Sequence, residues 1–210
     1  MSNEAANKNL ATFGLLSLIL AIFSIIAFVT GIVSWIFSFV TYINWGVLGI
    51  IMVLLIIGGV FVGKAGDNLN DDNARIFRTK IIVAVILVFV AMILIGVSIT
   101  TIIVTATGQT PLDPGSPEAI GIYVTYGIMI LAGIAMIIVG AVFEIIAWGQ
   151  LKRFFDSKLA MFPEDIGKSA KTGSFLCQLG AIFNITFILA PVGAILKVVG
   201  YFMLFKLKKL

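Results

Sequence analysis

LATFGLLSLILAIFSIIAFVTGIVSWIFSFVTYINWGVLGIIMVLLIIGGVFVG, Leu10 to Gly63, contains no charged residue. About 20 apolar residues wound as a helix cross the roughly 30 Å hydrocarbon core of a bilayer, so this run holds two crossings. Extended chains in lipid would leave backbone N–H and C=O groups unpaired at their edges. The run also lacks the strict alternation of a membrane β-barrel, so the crossings are expected to be helices.

The rest of the 210-residue chain has the same character. Sixty per cent of its residues are hydrophobic and 11% are charged, with a mean hydropathy of +1.17. A soluble domain of this size cannot cover so much apolar surface. The expected fold is an all-α, polytopic integral membrane helical bundle forming one membrane domain over 1–210. Its crossings are placed at about 10–30, 43–64, 79–106, 119–149, 172–189 and 191–207. Six crossings are expected, with five as the alternative.

Two breaks decide that count. In the first, Thr30, Gly31 and Asn44 interrupt the apolar run, and Trp35, Tyr42 and Trp45 supply rings of the kind that collect at a bilayer interface. The second is Ala190-Pro191, which either separates two crossings near the lower length limit or kinks a single helix.

Basic residues in short loops accumulate on the cytoplasmic side of membrane proteins. Lys64, Arg75, Arg78 and Lys80 bracket one loop, and Lys152, Arg153, Lys158, Lys168 and Lys171 another. The segment TGQTPLDPGSPE, Thr107 to Glu118, has no Lys or Arg. With six crossings, all 14 basic residues except Lys197 fall on one side. Five crossings would place the C-terminal lysines outside. The pattern therefore favours six crossings, with the N-terminus and C-terminus both cytoplasmic.

The net charge of +4 follows from this bias. Without a basic block interleaved with aromatics, nucleic acid is not an expected partner. The expected partners are the lipid bilayer and anionic lipid headgroups at the basic loops. A protein partner or a homo-oligomer is left open.

Cys177 is the single cysteine and there is no histidine. The commonest general base and the commonest transition-metal ligand are thus missing. GKSAKTG, Gly167 to Gly173, has Phe162 where a phosphate-binding loop needs its first glycine. DNLNDDNA, Asp67 to Ala74, lacks the glycine and closing glutamate of a calcium loop. Asp71, Asp72 and Asn73 instead suit a turn and a helix cap, and Pro163, Glu164 and Asp165 suit a helix start. No catalytic, cofactor-binding or metal site is expected, and the chain is not read as an enzyme.

NKNLATFGLLSLIL, GKAGDNLNDDNARIF, RFFDSKLA, KTGSF and the terminal GYFMLFKLKKL resemble the archaeal multi-pass membrane proteins grouped as domain-of-unknown-function family 996. The resemblance covers nearly the whole chain. It implies an archaeal cell membrane and brings no known activity or catalytic residue.

Glu144 and Lys197 are the two charges placed well inside crossings. Glu144 lies roughly 12 Å along its helix from Lys152, and Lys197 roughly 13 Å from Lys206, so their depths match. Gly133, Gly140, Glu144 and Ala147 share one helix face, as do Gly193, Lys197 and Gly200. Small residues let helices approach closely in lipid, so both charges should face protein. A lone charge there costs a few kcal/mol on insertion scales.

Three readings follow. Glu144 and Lys197 form an ion pair or hydrogen bond, or Lys197 snorkels while Glu144 is protonated or near water, or Glu144 handles protons or ions. Gln178 and Asn184, beside the small face of Gly173, Cys177 and Gly180, are candidates for the same contact surface. The corresponding functional classes are a structural, accessory or partner-binding protein of the cell membrane and, as the alternative, a small secondary transporter or channel using Glu144 and Lys197.

Overall fold

The computed structural model describes residues 2–34, 38–107, 113–186 and 189–210. Trp35 and Pro111 lie outside these residues, and the side chain of Tyr42 is likewise not described. The described residues form six α-helices and no strand: α1 (Ser2–Ser34), α2 (Ser38–Leu69), α3 (Asp72–Thr107), α4 (Pro117–Ser157), α5 (Glu164–Ile185) and α6 (Ala190–Leu204). Short 3₁₀ turns follow α4 at Leu159–Met161 and α6 at Phe205–Lys209.

Five helical segments are long and apolar enough to cross a membrane: Asn3–Ser34, Ile43–Leu69, Asp72–Thr107, Pro117–Ser157 and Ala190–Lys209. The exception is α5, whose first turns carry Glu164, Asp165, Lys168 and Lys171. The first four helices run past the expected crossings at both ends. The segment expected at 172–189 is shifted toward the N-terminus: α5 starts at Glu164 and ends at Ile185, where Thr186 forms its C-cap. Pro191 occupies the first turn of α6, where its missing N–H is not needed. The reversal therefore lies before the proline, and Pro191 separates two helices without kinking one.

The chain groups into two compact units, Met1–Val85 with Ala141–Leu210, and Ile86–Gly140. The first unit is built on hairpins. On α1 and α2, Thr30 donates to the Asn44 side chain at 3.0 Å, and Gly58 faces the ring of Phe13. Residue numbers rise on one helix as they fall on the other, so the pair is antiparallel.

At the next turn the N–H of Asp71 donates to the carbonyl of Gly66 at 2.9 Å, and Asn70 has φ 49°. This six-to-one bond with a left-handed residue at C′ is a Schellman ending of α2. Asp71 then caps α3, its Oδ1 accepting from Asn73 N at 2.9 Å and Ala74 N at 3.4 Å. Gly59, Gly63 and Gly66 bring α2 close to α3: a Cβ on Gly59 would lie 2.6 Å from Ile81, and one on Gly66 2.6 Å from Ala74. These glycines serve packing within the unit.

Its core is a file of aromatic rings crossing four helices. Phe13 of α1 meets Phe77 of α3 at 6.3 Å, Phe77 meets Trp148 of α4 at 5.3 Å, and Trp148 meets Tyr201 of α6 at 5.9 Å between centroids. Trp148 is fully buried.

The second unit pairs the later part of α3 with the earlier part of α4. A Cβ on Gly133 would come within 2.6 Å of Ile95, and Ala91 and Ala119 are buried. Large side chains such as Val104, Ile128 and Leu131 are more than 60% exposed, which suits contact with hydrocarbon. Before α4, Asp113 Oδ1 accepts from Gly115 N and Ser116 Oγ from Ala119 N, the contacts of a turn and a cap.

Candidate functional site: an acid and a base among three helices

α5 and α6 form a second antiparallel hairpin in the first unit, held by small residues. A Cβ on Gly173 would lie 2.7 Å from the carbonyl oxygen of Gly200. Cys177 fills the space beside Gly200, and Asn184 Oδ1 lies against Gly193. The thiol of Cys177 is 3.9 Å from the carbonyl of Lys197. No bulkier side chain fits between these backbones, which is how such residues bring helices together in lipid.

That close approach positions Lys197. Its Cγ would be 2.7 Å from a Cβ on Gly180, so its stem crosses α5 where no side chain obstructs it. Its Nζ reaches Glu144 Oε1 on α4 at 2.6 Å, with side-chain exposures of 15% and 17%. The same oxygen accepts from Trp148 Nε1 at 3.2 Å, one turn further along α4. The carboxylate thus receives one charged and one neutral donor.

The expected companions take different places. Gln178 donates to the carbonyl of Ile145 at 3.4 Å and rests over Gly149, next to the ion pair on α4 but not bonded to it. Asn184 sits against Gly193, nearer the turn of the hairpin. Together they bind α5 to both neighbours, with Glu144 and Lys197 joining α4 to α6 alongside.

Two contributors were not anticipated. Trp148 is a core ring and a donor to Glu144; its spacing of four from the acid puts both on one helix face. Lys80 reads as a loop-flanking charge, yet its Nζ lies 4.8 Å from the centroid of Phe143, adjacent in sequence to Glu144. Nothing local in the sequence announces that tertiary contact.

Further ion pairs lie near the helix ends. Asp67 pairs with Arg75 at 2.8 Å and Arg78 at 3.3 Å, while Asp71 Oδ2 accepts from Ser157 at 3.5 Å and lies 4.0 Å from Lys158. Lys171 pairs with Asp156 at 2.5 Å and Lys168 with Glu164. Among the described residues there is no group of three or more His, Cys, Asp or Glu placed to hold a metal ion.

Chemically, the site pairs an acid with a base, both largely covered by protein, and ties α4 to the α5–α6 hairpin. The architecture and these apolar helices define a polytopic helical membrane protein. Comparison with family models, curated proteins and solved structures finds no match for the chain.

Proposed function

We propose that the protein is a non-enzymatic, multi-pass component of the cell membrane with a structural or partner-binding role. In this reading α5 and α6 supply the fifth and sixth crossings, and both termini lie on the cytoplasmic side. The clustering of Lys and Arg supports that orientation, and the antiparallel α5–α6 hairpin supports the even count.

One observation carries the reading: Glu144 and Lys197 contact each other at 2.6 Å. An acid employed in transport has to exchange its proton or ion with water during the cycle. This acid is held by an ammonium and an indole N–H, an arrangement suited to fastening helices.

The test is proton and cation flux in vesicles reconstituted with the pure protein. The expected result is flux equal to that of empty vesicles, together with a protein partner that co-purifies from native membranes. Flux that is abolished by Glu144→Gln would replace this reading with a transporter.

A further inference from the structure

Among the described residues, four lysines without an ion pair lie over aromatic rings, Lys64, Lys80, Lys152 and Lys208, and of these Lys152 adjoins an exposed apolar stripe on another helix. Lys152, near the end of α4, forms no ion pair among the described residues. Its Nζ stands 4.6 Å from the ring centroid of Phe175 on α5, within cation–π range. The acids nearest in sequence are engaged elsewhere, Asp156 with Lys171 and Glu144 with Lys197.

From Phe175 an apolar stripe runs along α5 toward the hairpin turn. Phe175, Leu179 and Ile182 follow the i, i+4, i+7 spacing of one helix face. Phe175 and Ile182 are 38% and 40% exposed, and Leu179 is partly exposed. Arg153, also exposed, follows Lys152 in the chain.

We propose that Lys152 and Phe175 seat an anionic phospholipid, its phosphate on the Lys152 ammonium and an acyl chain along Phe175, Leu179 and Ile182. Charge complementarity and the adjoining stripe both point to an amphiphile. An acidic peptide would leave the stripe uncovered, and free phosphate would not use it. The ring holds the ammonium at the foot of the stripe, and the ammonium's N–H donors remain open to phosphate oxygens. This inference rests on the membrane reading but not on the choice between accessory protein and transporter.

The test is native mass spectrometry of the full chain from mixed micelles of phosphatidylglycerol and phosphatidylcholine. Wild-type protein is expected to retain phosphatidylglycerol over phosphatidylcholine. Lys152→Gln should reduce that retention about fivefold, the effect of one basic residue near an anionic surface, and Lys152→Arg should restore it. Lys168→Gln, which removes a cation already paired with Glu164, should change nothing.

Equal retention of the two lipids by wild type, or full retention by Lys152→Gln, would overturn the proposal. So would displacement of phosphatidylglycerol by inorganic phosphate alone, which would assign the site to the free ion. A failed flux or partner experiment leaves these outcomes untouched, so the two readings can fail separately.

Discussion

Gly180 and Gly193 face each other so closely that a Cβ on either would lie 2.6 Å from the carbonyl oxygen of the other. Backbone has no soft rotamer by which to yield, so α5 and α6 would have to separate. Gly180→Ala and Gly193→Ala should each destabilise the protein by about 1–3 kcal/mol, as overpacking does. Gly46 and Gly49 on α2 have nothing within 4 Å of such a Cβ, and alanine there should be neutral or stabilising. Detergent-resisted thermal unfolding of the four variants distinguishes them; equal effects at all four positions would contradict the packing described.

Removing either partner of the ion pair leaves the other uncompensated. Glu144→Gln and Lys197→Gln should each destabilise, and the double variant should recover part of the loss. The coupling expected from the cycle exceeds about 0.6 kcal/mol, the average for interhelical polar contacts in membranes. Strict additivity would mean that the contact contributes nothing to holding α4 and α6 together.

Trp148 combines a stacking ring with a donor, and two substitutions separate these roles. Trp148→Phe keeps an aromatic ring near Phe77 and Tyr201 but loses the bond to Glu144, and should cost about 1–2 kcal/mol. Trp148→Ala also opens a cavity and should cost about 3–5 kcal/mol. Denaturant titration in mild detergent measures both, and similar losses would show that the ring contributes little.

Asp71 caps α3 and also reaches Ser157 near the end of α4. Asp71→Ala should cost about 1–2 kcal/mol through the cap alone. Hydrogen exchange should rise at the start of α3 and also around Ser157. An increase confined to α3 would reduce Asp71 to a local cap.

Much of this architecture was readable because it rests on local physics. The uncharged run from Leu10 to Gly63 demanded two helices, and matching depths together with small-residue faces put Glu144 and Lys197 on protein-facing surfaces. Pro191 marked a boundary, but the reversal fell earlier because proline fits the next helix's first turn. The burial of Trp148 and the approach of Lys80 to Phe143 were not readable. Each depends on which helices become neighbours, and apolar faces that all suit lipid and one another carry little information about that. Gln178 and Asn184 lie on α5, and their partners, the Ile145 carbonyl and the Gly193 backbone, are groups that side-chain patterning does not single out.

The position of Lys197 on the last helix bears on the order of synthesis. Glu144 leaves the ribosome with α4, before the cation that meets it has been made, and until α6 arrives Trp148 of its own helix is the donor at hand. A chain interrupted after α4 therefore carries Glu144 without its base, whereas a chain that includes α6 does not. Synthesis of α6 is thus the step that brings the acid its base.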